Sequence, residues 1–165
     1  MKTYNIMLSK VFPATHPRKG EPTYFSQKVQ AAHYPTMSDE TPKLHTIREN
    51  YDLWRDRIAQ VKAGEAEICL RQWTGKPYRS KTVEIMRLGC DDGVGIQKLN
   101  FGWRGDKQVP VIEGWYMDGE FGSKKELAKN DGLSLEDWQA WFKAHEKDTV
   151  YDKPLAIIHF TSFRY

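Results

Sequence analysis

The sequence predicts an α+β fold of 165 residues, built around a curved sheet or a small barrel. Segments rich in branched and aromatic residues, typical of strands, are spread along the whole chain. Amphipathic segments with helical spacing interrupt them, and the connections are too irregular for a regular alternation of strand and helix. The length suits one domain with its own core, so we do not expect a second domain.

The first part of the chain predicts one strand and two helices. Residues 4–12 are rich in apolar side chains and stop at a proline, which is typical of a strand that leads into a loop. Phe25, Val29 and Ala32 recur at helical spacing and predict a short helix that has Pro22 in its first turn and ends before Pro35. A second helix is expected at about 50–63, where Asn50 is a suitable N-cap.

The second part of the chain contains both strand-type and helix-type segments. We expect strands at 67–73, 82–88, 109–117 and 155–163, a further strand or a long hairpin within 93–106, and helices at 123–129 and 134–145. Ser134 and Asp137 form a variant of the capping box at the start of the last helix. His145 falls in the last turn of that helix, where the helix dipole favours a cation, so we assign it no catalytic role.

The composition sets limits on the partners and the cellular location. A net charge of +3 and a pI near 8.8 are mildly basic, which permits a phosphate-bearing partner. Cys69 and Cys90 are far apart, and the sequence has neither a signal-type segment nor an apolar run of membrane-spanning length. We therefore expect a soluble, cytoplasmic protein with no membrane partner. The aromatic content of 13% can serve the core or can supply stacking surfaces for bases.

The common cofactor and metal motifs are missing. No pair of histidines has metal-binding spacing, and the cysteines are too distant for a zinc ribbon. Gly93 and Gly95 lack the third glycine of a dinucleotide fingerprint, and Gly75-Lys76 lacks the flanking residues of a phosphate loop. We therefore expect no metal and no cofactor.

A first polar cluster occupies residues 43–48, with the sequence KLHTIR. It combines two cations, an imidazole and a hydroxyl in a short strand that ends at the start of a helix, and such a strand tends to lie at the rim of a fold. Strict alternation would place Lys43 and His45 on one face and Thr46 and Arg48 on the other. The simpler interpretation is that the cations are solvated or contact phosphate and that Thr46 is satisfied by a backbone neighbour.

A second polar cluster, at 71–81, carries four cations and no acidic residue around a turn rich in glycine and proline. The side chains expected at a binding surface are Trp73, Lys76, Tyr78, Arg79 and Lys81. Cations interleaved with aromatic rings offer phosphate contacts and a stacking platform, as single-stranded RNA or a nucleoside requires. The alternative is a solvated hairpin with its rings packed inward.

Together the two clusters resemble the ASCH family of the PUA-like superfamily. Lys43, Thr46 and Arg48 match the pattern Lys-x-x-Thr-x-Arg, and the basic hairpin and the hydrophobic last strand extend the resemblance. It implies a PUA-like small mixed β-barrel with flanking helices. The domain would span residues 1–165, with an N-terminal extension and an inserted helix at about 50–63.

The resemblance implies a cleft that binds single-stranded RNA or a modified nucleoside. The substrate-binding residues would then be His45, Arg48, Trp73, Lys76, Tyr78, Arg79 and Lys81. A different possibility is a protein-interaction domain that uses a Trp-rich surface.

Members of the family that hydrolyse N4-acetylcytidine imply an alternative function, a metal-independent amidohydrolase acting on an N4-acylated cytidine. Lys43 would be the base and Thr46 the nucleophile, with a carboxylate assisting proton transfer. Asp131 matches the position of the family's catalytic glutamate but has a shorter side chain. Asp131-Gly132 is also typical of a simple turn.

Overall fold

The structure, a computed structural model, describes residues 1–143 and 153–165 and confirms the α+β class. The strands of this part of the chain are β1 (Lys2–Met7), β2 (His45–Arg48), β3 (Ala66–Trp73), β4 (Thr82–Leu88), β5 (Gly95–Arg104), β6 (Lys107–Ile112), β7 (Trp115–Tyr116) and β8 (Leu155–His159). The helices are α1 (Phe25–His33), α2 (Tyr51–Lys62), α3 (Lys124–Asn130) and α4 (Leu135–Phe142).

The strands form two sheets. In the first, β3 lies between β1, which runs parallel to it, and β4, which runs antiparallel. The second has the order β2-β8-β5-β6-β7 and is antiparallel throughout. Over residues 1–143 and 153–165 the hydrogen bonds do not close these sheets into a barrel, so the expected small barrel is not observed there.

Helix α2 packs against β3, β5 and β8. Helical spacing predicted one apolar face formed by Leu53, Trp54, Ile58 and Val61. The last three are buried, whereas Leu53 is 41% exposed. The helix begins where Asn50 Oδ1 accepts a hydrogen bond from the Leu53 N–H at 3.2 Å, which confirms the predicted N-cap. The helix therefore covers strands of both sheets and helps to enclose one apolar core.

Three strand predictions need correction. The segment 109–117 is two strands, because Glu113 and Gly114, with φ of 51° and 81°, turn the chain back on itself. The first strand ends at Met7 rather than at residue 12, where the chain leaves the sheet for a long loop. The last strand ends at His159, and Arg164 returns to donate a hydrogen bond to the Gly93 oxygen at 2.7 Å.

The capping prediction at α4 is confirmed in part. Ser134 Oγ accepts a hydrogen bond from the Asp137 N–H at 3.1 Å, as expected. The carboxylate of Asp137 instead pairs with Arg18 at 2.6 Å, which ties the loop after β1 to this helix. The predicted C-terminal part of the helix, including His145, lies outside the described residues.

No helix in the described ranges combines the length and apolar character needed to span a bilayer.

Candidate functional site: a buried lysine and carboxylate at a cavity

Lys43 is almost completely buried, with 1% of its surface exposed. Its Nζ donates hydrogen bonds to Asp131 Oδ1 at 2.5 Å and to the Asp131 main-chain oxygen at 2.6 Å. The same Nζ lies 4.3 Å from the centre of the Phe25 ring, a cation–π contact. The two residues are 88 positions apart in sequence. The fold therefore joins two groups that the family resemblance had proposed as catalytic.

The local sequence explains why Asp131 points to Lys43. Helix α3 ends at Asn130, and Gly132, with φ of 82°, reverses the chain. The Gly132 and Leu133 N–H groups donate to the oxygens of Lys129 and Ala128, which is the Schellman arrangement. The turn interpretation of Asp131-Gly132 is thus correct, and it is also what presents the Asp131 side chain to the lysine.

Burial shifts both members of the pair toward neutrality. Loss of water lowers the pKa of Lys43 and raises the pKa of Asp131. Their mutual attraction opposes both shifts, and the positive charge of Arg48 also lowers the pKa of the carboxyl. Both pKa shifts favour the uncharged amine and the uncharged carboxyl, which are the forms that can accept and donate a proton in general acid and base catalysis.

A cavity of about 300 Å³ lies beside this pair. Lys43, Thr46, Arg48 and Asp131 all line it, so four of the predicted site residues share one cavity. Simple alternation had placed Lys43 and Thr46 on opposite faces. The prediction fails because Lys43 precedes the regular strand, which begins only at residue 45.

The two polar side chains on β2 differ in how they are held. Arg48 donates from Nη2 to the Met7 oxygen at 2.7 Å and from Nη1 to the Ile47 oxygen at 3.2 Å, so its guanidinium is fixed. Thr46 is 3% exposed, and among the described residues its hydroxyl has no hydrogen-bond partner. The cavity wall therefore offers a fixed cation and an unengaged hydroxyl.

Aromatic side chains complete the cavity, and the sequence did not identify them as site residues. Phe25, Trp141 and Phe142 line it together with Leu133. Phe25, Trp141 and Phe142 have the helical spacing of an ordinary apolar helix face. A stripe that faces a cavity has the same helical spacing as one that faces the core, so the sequence contains no signal that separates the two cases.

His45 lies on the other side of β2, away from the cavity. Its Nε2 is 2.7 Å from the Tyr165 hydroxyl, which also accepts a hydrogen bond from Asn130 Nδ2 at 2.9 Å. His159 Nε2 is 2.9 Å from Gln97 Oε1 in the same buried region. Burial lowers the pKa of His45 and lowers that of His159 to about 3, so both imidazoles are neutral.

The basic hairpin does not line the cavity. Lys76, Arg79 and Lys81 are exposed on the β3–β4 connection, and Tyr78 is 89% exposed. The Trp73 and Tyr78 rings lie 5.2 Å apart and form a single aromatic surface there. The hairpin is connected to the cavity wall through Leu8. Leu8 lines the cavity, and the Leu8 N–H donates a hydrogen bond to the oxygen of Arg71, near the start of the hairpin, at 2.7 Å. Its proposed role in substrate binding stays a prediction.

Comparison with known proteins found no matching family model, no matching curated protein and no matching solved structure. Within the part of the chain that the structure describes, no group of three or more His, Cys, Asp or Glu side chains is arranged to hold a metal ion. The site is therefore interpreted from its own geometry.

Proposed function

We propose that the protein is a metal-independent amidohydrolase that removes the acyl group from an N4-acylated cytidine or a similar N-acylated nucleoside. The observation that carries this proposal is the buried Lys43–Asp131 pair on the wall of a cavity that Thr46 also lines. A base, an acid and a hydroxyl in one enclosed site are the groups that amide hydrolysis without a metal requires. The proposal keeps the relationship to the ASCH family and the PUA-like fold as its working hypothesis.

The proposed reaction begins with attack by the Thr46 hydroxyl on the acyl carbon, while neutral Lys43 accepts the hydroxyl proton. Asp131 in its acid form protonates the leaving nitrogen as the carbon–nitrogen bond breaks. Water then attacks the acyl ester on Thr46 and gives one proton to the Asp131 carboxylate, while protonated Lys43 returns its proton to the Thr46 oxygen. This restores all three groups and releases a carboxylic acid. The fixed charge of Arg48 favours the negative charge that develops on the acyl oxygen. The net change is amide plus water to amine plus acid.

The cavity suits a small ligand better than a polymer. Its volume of about 300 Å³ lies at the lower end of typical small-molecule sites. Its aromatic residues offer apolar surface to a base, while Lys43, Thr46 and Asp131 offer polar groups. An extended RNA strand would require a groove lined with exposed cations. Within residues 1–143 and 153–165, the cations on the cavity wall are Lys43 and Arg48, and both are engaged.

The direct test is incubation with N4-acetylcytidine and separation of the products by chromatography. We expect release of cytidine, and we expect Thr46→Val to lower the rate by at least about 100-fold while the melting temperature changes little. Thr15→Val, at an exposed threonine, is the matched control and should retain the wild-type rate. A wild-type protein that leaves N4-acetylcytidine and related N-acyl nucleosides intact would contradict the proposal.

A second candidate function is binding of single-stranded RNA by the basic hairpin. The Trp73–Tyr78 aromatic surface, exposed beside three cations, favours it. Tyr78→Ala should weaken RNA binding by about 1–3 kcal/mol, the contribution of one stacked base. Tyr34→Ala, at another exposed tyrosine, is the control. Equal losses in the two variants, measured by fluorescence anisotropy, would exclude the hairpin as the stacking surface.

A further inference from the structure

A second concavity, which we call the basic groove, lies on the other side of the segment that carries Asp131. It has a volume of about 800 Å³. Its lining includes Arg18, Tyr24, Lys28, Lys125, Lys129 and Leu133. Leu133 lines both the groove and the cavity, so the two are separated by little more than one stretch of chain.

The groove has an excess of positive charge. Counting the part of the chain that the structure describes, four cations and one carboxylate line it, and that carboxylate, Asp137, is already engaged by Arg18 at 2.6 Å. Lys125 and Lys129 are four residues apart on α3, so their charges face the same side and repel each other. Lys125 also lies in the first turn of α3, where the helix dipole disfavours a cation. Lys129, in the last turn, is favoured by the dipole, so only the position of Lys125 is unfavourable for the helix.

Lys28 links the groove to the catalytic segment. Its Nζ donates to the Gly132 oxygen at 2.8 Å, and the side chain is half-buried. Among residues 1–143 and 153–165, no carboxylate forms an ion pair with it. Partial burial disfavours its positive charge, Glu40 and Asp137 attract that charge without an ion-pair contact, and an anionic ligand in the groove would bring a closer counter-charge.

Tyr24 gives the groove an aromatic wall. It is 47% exposed and has φ of 59°, a left-handed conformation that is strained for a tyrosine. Leu133 and Leu135 add apolar surface on the side of α4. The groove thus combines free cations with a stacking surface, which are complementary to the two halves of a nucleotide.

We propose that the basic groove binds a phosphate-bearing ligand, with the phosphate against Lys28, Lys125 and Lys129 and an aromatic base against Tyr24. The ligand chemistry is that of a nucleotide, either a free nucleoside monophosphate or one unit of a single strand. This site is separate from the cavity, and the proposal does not depend on the proposed hydrolysis.

The test is calorimetric titration of the full chain with cytidine 5′-monophosphate and, in a second arm, with a five-residue oligocytidylate. Neutral cytidine serves as the phosphate-free comparison. The groove variant is Lys125→Gln with Lys129→Gln, and the matched control is Lys62→Gln with Lys107→Gln, which removes the same charge at exposed lysines outside the groove. All four lysines are exposed, so neither double variant should unfold.

We expect the groove variant to weaken binding of the phosphate-bearing probe at least tenfold and the control variant to stay within twofold of the wild type. For the oligonucleotide, the slope of log affinity against log salt should fall by about 0.7 for each lost phosphate contact. The arm that binds more tightly identifies the source of the phosphate.

Three outcomes would overturn the proposal: no binding of either probe, equal losses in the two double variants, or an affinity for cytidine that matches that of its monophosphate. The assay is independent of turnover. A protein that hydrolyses no N-acyl nucleoside can still bind phosphate, and a protein with an empty groove can still hydrolyse, so the two proposals fail separately.

Discussion

Lys43 and Asp131 depend on each other, because each has lost its water and each is the main partner of the other. Removal of one member of such a pair leaves the remaining charge buried and uncompensated. Removal of both members leaves an apolar site with little electrostatic penalty. The stabilising free energy of the pair should therefore be measurable as a coupling free energy between substitutions at positions 43 and 131.

We predict that Lys43→Met lowers the free energy of unfolding by about 3–5 kcal/mol at pH 8, because the Asp131 carboxyl stays buried and has lost the lysine that compensates its charge. Adding Asp131→Asn to Lys43→Met should recover most of that loss. Urea denaturation of the two single variants and the double variant measures the coupling. As a control, Arg55→Met breaks an exposed pair with Asp52 and should leave the urea midpoint unchanged. Strictly additive losses at positions 43 and 131 would contradict the coupling.

Gly132 controls how the end of α3 presents Asp131. Its φ of 82° disfavours any side chain, and a Cβ atom there would lie 3.3 Å from Lys43 Cβ and 3.4 Å from Phe25 Cε1. Gly20 has φ of 81° but no heavy atom within 4 Å of the same position. The two glycines therefore have the same backbone requirement and differ only in their contacts.

We predict that Gly20→Ala costs about 1–2 kcal/mol, the strain of the left-handed backbone alone. Gly132→Ala should cost more than Gly20→Ala and should also reduce hydrolysis of N4-acetylcytidine, because the crowding falls on Lys43. Thermal unfolding and the hydrolysis assay separate the two effects. If Gly132→Ala and Gly20→Ala have the same melting temperature and the same rate of hydrolysis, the contact with Lys43 has no influence.

At the level of elements, periodicity predicted helices well and the ends of strands poorly. The stripe of Trp54, Ile58 and Val61 marks α2, because helical spacing depends only on neighbours in sequence. The division of 109–117 into two strands depends on positive φ at Glu113, a residue that does not mark such a turn as glycine does. The contact between Lys43 and Asp131 depends on a long-range pairing of the two segments, in which the Leu44 N–H donates to the Asn130 oxygen at 2.7 Å, and no local pattern records it. The family resemblance, rather than any periodicity, was what brought Asp131 into consideration.

At the scale of the whole molecule, buried neutral histidines make folding sensitive to acid. His45 and His159 have folded-state pKa values below the ordinary value of 6.5, and the pKa of His159 is lowered to about 3. Between pH 6.5 and 3 the unfolded chain therefore binds protons that the folded chain does not. The stabilisation is complete above pH 6.5 and is lost as the pH falls toward the folded-state pKa.

We predict that the free energy of unfolding decreases by about 1.4 kcal/mol per pH unit for each of these histidines once the unfolded state is protonated. In the His159→Gln variant, the slope of the free energy of unfolding against pH between pH 6 and pH 4 should be smaller by about that amount. We expect this even if the variant is less stable than the wild type at pH 7.5. Urea denaturation of both proteins across this range is the measurement, and carboxylates that titrate in both proteins cancel in the difference. Parallel profiles would assign the acid sensitivity to other groups.

The parallel pairing of β1 with β3 also constrains the order of assembly. Thr3 and its hydrogen-bonding partner Glu67 are 64 positions apart, so a long loop must close before β1 gains its place in a sheet. Residues 5–9, which belong to β1 and the chain just after it, form one wall of the cavity. A refolding chain should therefore acquire its affinity for small ligands only at the final cooperative step. Recovery of ligand binding would then report the pairing of β1 with β3.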